Sequence, residues 1–298
     1  MSVTIIDGKA TAQTIREELS VKVAAAVAQG HRPPGLAVIL VGENPASKVY
    51  VRNKEAAATQ AGFHSVKVDL PATIGQAELL DEVRKLNEDP AIDGILCQLP
   101  LPKGIDESQI ILAIDPDKDV DGFHPVNTGR LAIGLPCFVA CTPLGCKELL
   151  KRYDIAVEGK KVVVLGRSNI VGTPMTLLMM QKDKYANATV TVCHSRTKNL
   201  AAECAQADIL VAAIGKPRFV TADFVKPGAV VIDVGINQID DPTTKSGKRL
   251  VGDVDYDAVL AKVSAISPVP GGVGPMTIAM LLSNTVQSWT RRLGLPQD

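Results

Sequence analysis

The sequence predicts an α/β protein with two α/β domains flanking a cleft. Its 298 residues exceed a typical single domain, and a prior of about 150 residues per domain suggests two. Short apolar runs bounded by Gly or Pro alternate with segments of helical period, which is typical of parallel strands joined by crossover helices. Because this alternation occurs in both halves of the chain, each half is expected to form its own sheet.

The first half contains three strand-like runs and three helical segments. We predict strands at 36–41, 64–70 and 92–98 and helices near 10–28, 45–61 and 76–88. The helix near 45–61 has the clearest end signals, since Asn44 can cap it, Pro45 suits its first position and Gly62 marks its end.

The second half repeats the alternation and then ends in one amphipathic helix. We predict strands at 161–166, 189–193, 208–214 and 229–234 and helices near 143–152, 172–182, 199–206 and 277–291. The last helix follows a complete α/β unit, so we expect it to pack on the first domain. Segments rich in Pro and Gly at 133–145 and 267–275 would be the passages between domains. The predicted domains are therefore 1–142 with 277–298, and 143–276.

The composition excludes several classes of protein. Lys plus Arg and Asp plus Glu both number 32, so no basic field argues for nucleic acid or for an anionic membrane. The N-terminus lacks the pattern of a signal peptide, and no apolar run approaches the ~18 residues of a membrane span. We therefore expect a soluble cytoplasmic protein. The cysteines form no CxxC pair and are expected to be buried, reduced thiols: Cys97, Cys137, Cys141, Cys146, Cys193 and Cys204.

Tyr50 and Lys54 are four residues apart on the helix predicted at 45–61, directly after the strand at 36–41. Residues at this spacing share one face of a helix, and ligands of open parallel sheets collect at the carboxyl ends of the strands. An aromatic ring beside an amine suits a flat substrate whose reaction moves a proton. The alternative for such a pair is a solvated lysine beside a packed tyrosine.

Gln98 ends the strand at 92–98 and therefore belongs to the same edge of the predicted sheet. Asp121 follows in the segment 117–122, which imitates the start of a calcium loop. Position twelve of that loop is Thr128 rather than a bidentate Glu, so we expect no calcium and assign Asp121 to a substrate amide or amidine. His124 and His194 have no partner at metal-ligand spacing and are expected to be structural, so no metal is predicted.

The segment 161–172 combines a buried strand, a glycine-bounded turn and a helix. Gly166 and Gly172 would allow a pyrophosphate to approach the helix N-terminus. The spacing departs from GxGxxG because Ser168 stands at the second glycine, which leaves an ordinary strand-helix turn as an alternative. The next strand ends in His194-Ser195-Arg196, where NAD-binding proteins would carry an acid for the ribose hydroxyls. Arg196 and Arg167 instead match the 2′-phosphate of NADP, the alternative being surface arginines. The second domain is therefore predicted to be a Rossmann-type NADP-binding domain.

These motifs occur together with the segments Gln98–Pro102, Asp117–Gly122 and Pro268–Thr277, in that order along the chain. In this combination the chain resembles the bifunctional methylenetetrahydrofolate dehydrogenase and methenyltetrahydrofolate cyclohydrolase family over nearly its whole length. The resemblance implies folate in the first domain, NADP in the second, a homodimer, and a role in the one-carbon metabolism that serves purine biosynthesis. It also implies that the formate-tetrahydrofolate ligase domain of some relatives is not fused to this chain.

The resemblance also implies roles for individual residues. Lys54 would be the acid-base lysine, Tyr50 would stack on the folate, Gln98 would support the lysine and Asp121 would anchor the pterin. Further folate contacts would be Leu99, Gly271 and Gly272. The implied NADP contacts are Gly166, Arg167, Ser168, Ser195, Arg196, Ile236 and Thr277.

The implied reactions need a proton carrier rather than a metal. Oxidation of 5,10-methylenetetrahydrofolate gives the methenyl cation, and water then opens its ring to 10-formyltetrahydrofolate. A free lysine has a pKa of about 10.4, so a lysine base near neutral pH requires a site that favours the neutral amine. The alternatives are a two-domain dehydrogenase for another substrate, such as a shikimate-like compound or an amino acid, and a non-enzymatic ligand-binding protein or nucleotide sensor.

Overall fold

The computed structural model describes residues 3–244 and 247–296. Within them, the chain divides into two compact units. The three-stranded unit comprises residues 13–139 and 278–296, and the six-stranded unit comprises residues 3–12 and 140–277. Both units are built from strands and helices in alternation, so the predicted fold class is confirmed.

The strands and helices are numbered here in chain order. The strands are β1 (Thr4–Ile5), β2 (Gly35–Val41), β3 (His64–Leu70), β4 (Gly94–Cys97), β5 (Lys161–Leu165), β6 (Thr189–Cys193), β7 (Ile209–Ala212), β8 (Val230–Asp233), β9 (Asn237–Asp240), β10 (Lys248–Val251) and β11 (Ala265–Ile266). The helices are α1 (Gly8–Ala28), α2 (Pro45–Gln60), α3 (Gln76–Glu88), α4 (Glu107–Ala113), α5 (Pro125–Ala132), α6 (Cys141–Arg152), α7 (Gly172–Met179), α8 (Leu200–Cys204), α9 (Tyr256–Leu260) and α10 (Val273–Leu293), with a short 3-10 helix at Ala222–Phe224.

In the three-stranded unit, the parallel strands lie in the order β3-β2-β4. Every residue of β2 is buried, which explains its unbroken apolar sequence, since a central parallel strand is covered on both faces. One side of this core includes Ile39 from β2, Leu79 and Val83 from α3, and Ile95 from β4. Because all three strands run the same way, the residues that follow β2 and β4 emerge at one edge of the sheet.

The six-stranded unit holds a parallel sheet in the order β1-β11-β8-β7-β5-β6. The strand order reverses at β5, whose neighbours are β6 and β7. In open α/β sheets, ligands bind beyond the carboxyl end of the strand at such a reversal. Along the chain, the antiparallel hairpin formed by β9 and β10 lies between β8 and β11, although these two strands pair directly in the sheet. The segment that follows β5 is therefore the expected place for a ligand in this unit.

Residues 278–296 pack within the three-stranded unit. The Asn284 side chain donates hydrogen bonds from Nδ2 to the carbonyls of Val120, at 2.8 Å, and Val139, at 3.0 Å. Nearer the end of α10, the Trp289 indole is fully buried and donates to the carbonyl of Arg32 at 3.0 Å. Most of the last helix therefore belongs to the three-stranded unit.

The boundaries between the units differ from the sequence prediction at the N-terminus. Residues 3–12 belong to the six-stranded unit, because β1 pairs with β11 and so becomes an edge strand of that sheet. A two-residue strand carries too little hydrophobic pattern to be recognised in a sequence. The helix α10 also begins at Val273, four residues before the predicted start.

Candidate active site

Lys54 and Gln98 form a direct side-chain contact in the three-stranded unit. The Lys54 Nζ donates a hydrogen bond to Gln98 Oε1 at 2.9 Å, and Gln98 Nε2 donates to the carbonyl of Leu99 at 2.8 Å. Lys54 lies on α2, which follows β2, and Gln98 follows β4, so the pair meets at the carboxyl edge of the sheet. Both side chains are half-buried. The pair places an amine and a neutral amide where a substrate can reach them.

The start of α2 positions the helix that carries Tyr50 and Lys54. Asn44 Oδ1 accepts hydrogen bonds from the backbone N–H groups of Ala46, at 3.0 Å, and Ser47, at 3.2 Å, which caps the helix as predicted. Tyr50 lies one turn before Lys54 and is 44% exposed. Tyr50 is therefore not packed in the core.

Asp121 is half-buried in a tightly bonded loop between α4 and α5. The neighbouring Asp119 forms an isolated parallel bridge with Ile95 of β4, so this loop is attached to the strand that precedes Gln98. His124 caps α5, because its Nδ1 accepts a hydrogen bond from the N–H of Val126 at 3.1 Å. Among the residues that the structure describes, no group of three or more His, Cys, Asp or Glu side chains could hold a metal ion.

Five of the predicted folate residues lie in the three-stranded unit: Tyr50, Lys54, Gln98, Leu99 and Asp121. The other two, Gly271 and Gly272, belong to the six-stranded unit. There the Gly271 carbonyl accepts a hydrogen bond from the N–H of Lys9 at 2.9 Å. A side chain at Gly8 would collide with the Gly272 carbonyl, since its Cβ would lie only 1.8 Å from that oxygen. The two glycines are thus part of a backbone that packs closely on the start of α1.

The segment after β5 forms a cradle that only glycine fits. Gly166 has a φ of 137°, and a Cβ there would lie 2.1 Å from the carbonyl oxygen of Ala213. A Cβ at Gly172, the first residue of α7, would lie 2.3 Å from the Gly166 oxygen. Ser168 tightens this turn by accepting from the N–H of Val171 through Oγ at 3.2 Å. Such close backbone packing before a helix N-terminus is what a pyrophosphate site requires.

Ser195 and Arg196 lie next to this cradle. Their strand β6 is parallel to β5, with Cys193 opposite Leu165, so both strands end at the same edge. The turn is ordered by His194, whose Nδ1 accepts from the N–H of Arg196 at 3.1 Å. Arg167, Ser195 and Arg196 are all exposed. The sheet therefore places two exposed guanidinium groups and a hydroxyl on adjacent strand ends.

Ile236 and Thr277, the remaining predicted cofactor residues, lie on segments that approach each other. A Cβ added at Gly274 would lie 3.3 Å from Ile236 Cδ1, so the loop after β8 contacts the start of α10. The Thr277 hydroxyl donates to the Gly274 carbonyl at 2.7 Å. The Ile236 side chain remains 48% exposed, which leaves an apolar surface available to a flat ring.

Two buried aspartates support this region and were missed in the sequence. Asp233 accepts hydrogen bonds from the N–H groups of Gly235, Asp253 and Val254 at 2.9 to 3.0 Å, and burial raises its pKa to about 7. Asp253 accepts from the N–H of Gly215 at 2.7 Å and from Asn237 Nδ2 at 2.8 Å. A carboxylate at the end of the apolar strand β8 was the available signal for Asp233. The two residues tie together the loops that follow β7, β8 and β10.

Family models match both halves of the chain. The model described as tetrahydrofolate dehydrogenase/cyclohydrolase, catalytic domain, matches residues 6–121, and the NAD(P)-binding domain of the same description matches residues 140–293. The chain belongs to the tetrahydrofolate dehydrogenase/cyclohydrolase family. Its glycine cradle lies within the NAD(P)-binding match, and its Lys54–Gln98 pair lies within the catalytic match.

Relatives in this family are similar over almost their entire length. A bifunctional protein FolD from Desulfovibrio desulfuricans is 61% identical over 97% of this chain and 99% of its own. The crystal structure of the bifunctional FolD methylenetetrahydrofolate dehydrogenase/cyclohydrolase from Campylobacter jejuni is 48% identical, with a TM-score of 0.92 over 98% of this chain and all of its own. The Trypanosoma brucei FolD enzyme, complexed with NADP cofactor and inhibitor, is 42% identical, with a TM-score of 0.92 over 98% of this chain and 99% of its own.

The structure also bears on two predictions from composition. All six cysteines are free thiols, and all but the half-buried Cys137 are buried. Across residues 3–244 and 247–296, no helix combines the length and the hydropathy that crossing a membrane requires.

Proposed function

We propose that this chain oxidises 5,10-methylenetetrahydrofolate to the 5,10-methenyl form with NADP, and hydrolyses that product to 10-formyltetrahydrofolate. The reactions belong to one-carbon folate metabolism. The observation that carries the proposal is the Lys54–Gln98 hydrogen bond at the carboxyl edge of the sheet, in a chain that matches both domain models of the family. The FolD relatives, which are similar over nearly their full length, support both activities.

We assign the folate contacts to the residues that the sequence motifs identify. Tyr50 would stack its exposed ring on the pterin, and Asp121 would accept hydrogen bonds from the amide and amine groups of the pterin. Leu99, Gly271 and Gly272 would supply the remaining contacts. Tyr50 suits its role because it is an aromatic residue that is 44% exposed. Asp121 suits its role because its loop is bridged through Asp119 to β4, the strand that precedes Gln98.

Hydrolysis of the methenyl group requires proton transfer in two directions. A proton leaves the attacking water, and a ring nitrogen must gain one as the carbon–nitrogen bond breaks. We assign both transfers to Lys54, since one amine can accept the first proton and donate the second. Gln98 orients that amine through a neutral oxygen, which adds no negative charge that would favour the ammonium form. Gln98 would therefore keep Lys54 aimed while leaving it able to act as a base.

The residues of the six-stranded unit fit NADP. The pyrophosphate would lie on the cradle of Gly166 and the start of α7, where any side chain at Gly166 would collide with Ala213. Arg167, Ser168, Ser195 and Arg196 would hold the ribose and its 2′-phosphate, while Ile236 and Thr277 would border the nicotinamide. When bound, NADP supplies the acceptor for the hydride that the folate loses. The part played by the chain is to fix that acceptor and to exclude water.

We further propose that the protein is a cytoplasmic homodimer. The dimer follows from the resemblance of the sequence to the family and is directly testable, whereas the location carries over the expectation from the sequence pattern. Sedimentation equilibrium of the purified protein should give twice the 31.5 kDa of one chain. A single species at the monomer mass over the whole concentration range would reject the dimer.

One assay tests the proposed function. Purified protein is mixed with 5,10-methylenetetrahydrofolate and NADP, and absorbance is followed for NADPH and for the methenyl product. We expect NADPH to form, and we expect supplied methenyltetrahydrofolate to be hydrolysed faster than in buffer. Replacing NADP by NAD should slow the oxidation. Absence of NADPH formation would favour a dehydrogenase for another substrate or a non-enzymatic protein.

A further inference from the structure

Asp119 is a buried carboxylate to which the proposed chemistry gives no task. Its side chain is almost fully buried and accepts hydrogen bonds from the N–H of His124 at 2.8 Å, the N–H of Phe123 at 3.3 Å and Asn127 Nδ2 at 3.0 Å. Burial raises the pKa of Asp119 to about 6. A charge-bearing group in such a place is costly unless its hydrogen bonds are satisfied, and these three bonds close the chain into a turn from 119 to 124.

Asp121 lies in the middle of that turn and is held on both sides through the backbone. On one side, the Val120 carbonyl accepts a hydrogen bond from Asn284 Nδ2 at 2.8 Å, and the Val120 side chain is fully buried. On the other side, the N–H of Gly122 donates to the Asp119 carbonyl at 3.1 Å. The backbone on both sides of Asp121 is therefore fixed.

Lys118, which directly precedes the turn, attaches it to the end of α3 and to β4. Its buried Nζ donates to the carbonyls of Leu86, Asn87 and Asp89 at 2.6 to 3.0 Å, at the C-terminal end of α3. Its own carbonyl accepts from the N–H of Ile95 in β4 at 2.8 Å. The turn 119–124 is thus fixed to β4, the strand that leads to Gln98.

We propose that Asp119 is a positioning residue for folate binding: its carboxylate holds the turn 119–124 in the one shape that presents Asp121 to the pterin. Asp119 itself touches no substrate and acts through Asp121. This inference rests on the proposed function and deepens it. A displacement of about 1 Å at a contact of this kind costs roughly a hundredfold in activity, so the closure of the turn determines how well the folate is held.

The test is the variant Asp119→Asn, which keeps the size of the side chain and one acceptor oxygen but replaces the other oxygen by a donor. We expect the KM for methylenetetrahydrofolate to rise about tenfold, as the loss of a hydrogen bond to a charged group predicts, while the Kd for NADP stays unchanged. In an Asp121→Ala background, Asp119→Asn should raise that KM little further, because the residue through which it acts is gone.

Asp93→Asn is the matched control in the same unit. Asp93 is fully buried and binds Arg32 through both carboxylate oxygens at 2.6 and 2.7 Å, and it also accepts from the N–H of Gly35, so its carboxylate bonds to these residues and not to the turn. We expect this variant to lower the Tm without raising the KM for folate. If Asp119→Asn aggregates, Asn127→Ala removes one of the three donors to Asp119 and should raise the KM in the same direction.

A lower Tm with an unchanged folate KM in both Asp119→Asn and Asn127→Ala would overturn the positioning role. An effect of Asp119→Asn that is equally large in the Asp121→Ala background would also overturn it. Failure of the proposed function is distinguishable, because the wild-type protein would then show no turnover of methylenetetrahydrofolate. That result would reject the positioning role as well.

Discussion

The Lys54 amine lies 2.9 Å from the side-chain oxygen of Gln98, whose amide nitrogen in turn donates to the backbone carbonyl of Leu99. The amide is held at both ends, so its oxygen faces the amine. A neutral partner of this kind orients the amine without supplying the negative charge that would favour the ammonium form. The hydrogen bond therefore fixes the position of the amine that the proposed proton transfers require.

Gln98→Glu should impair hydrolysis of methenyltetrahydrofolate. A carboxylate beside Lys54 would stabilise its protonated form, so less neutral amine would be available near neutral pH. We expect the cyclohydrolase rate to fall at least about tenfold at pH 7 and its pH profile to move to higher pH. Gln60→Glu, an exposed change on the same helix α2, is the control. A Gln98→Glu profile that coincides with the wild-type profile would contradict this role for the neutral amide.

Asp121→Ala should weaken folate binding and spare NADP. Loss of a charge-assisted hydrogen bond typically costs about 1.5–3 kcal/mol, which corresponds to a KM raised by about 10- to 150-fold. The comparison is between the KM for methylenetetrahydrofolate and the Kd for NADP from a calorimetric titration. Asp117→Ala is matched, since Asp117 precedes the same turn but is exposed and paired with Arg130. Equal losses for both ligands would show that Asp121 serves folding rather than folate.

Arg196→Ala should reduce the preference for NADP over NAD. The side chain is exposed at the end of β6, beside the glycine cradle after β5, where a 2′-phosphate would need a cationic partner. We expect kcat/KM with NADP to fall roughly tenfold or more, while the value with NAD changes little. Lys198→Ala removes an exposed cation two residues later and serves as the control. The prediction fails if both cofactors are affected alike.

Asp233 gives a signed prediction for the pH dependence of stability. In the folded chain, burial raises the pKa of this group to about 7 from its ordinary value of 3.8. The folded state therefore binds more protons than the unfolded state between these values, so this contribution to stability is present at low pH and is lost as the pH rises through 7. Asp233→Asn removes the titration.

The measurement for Asp233 is the difference in Tm between wild type and Asp233→Asn across that range of pH. The Tm of the wild type should fall relative to the Tm of Asp233→Asn as the pH rises from about 4 to about 7.5. Asp241→Asn is the control: hydrogen bonds from Thr243 lower the pKa of Asp241 below 3.8, so its contribution is lost only at lower pH and its Tm difference should stay flat over this range. A Tm difference for Asp233→Asn that is independent of pH would refute the assignment.

Much of the fold follows from the hydrophobic pattern. The strands β2 and β3 and the helices α2 and α3 lie within one residue of their predicted bounds, because each has a strong periodicity and clear end signals. The strands β9 and β10 were missed, since their polar sequences in an inserted hairpin show no buried face. Pattern reasoning also cannot find β1 or β11, whose two residues each gain their structure only from pairing with the sheet.

The sequence predicted those site residues that lie within recognisable motifs. The spacing of Tyr50 and Lys54 indicated a shared helix face, and the end of β4 indicated Gln98, but only the structure shows the hydrogen bond between Lys54 and Gln98. Lys118 and Asp119 were visible in the sequence as charged residues, yet their roles depend on α3 and α5, whose packing the sequence does not reveal.

The central claim is that Lys54 carries protons in the hydrolytic step. The most direct measurement is the rate at which Lys54→Met hydrolyses supplied methenyltetrahydrofolate, with Lys48→Met, an exposed change on the same helix, as the control. We predict a loss of at least about 10²-fold for Lys54→Met, the usual contribution of a positioned acid-base group, with NADP binding and Tm retained. Unchanged hydrolysis by folded Lys54→Met would contradict the account.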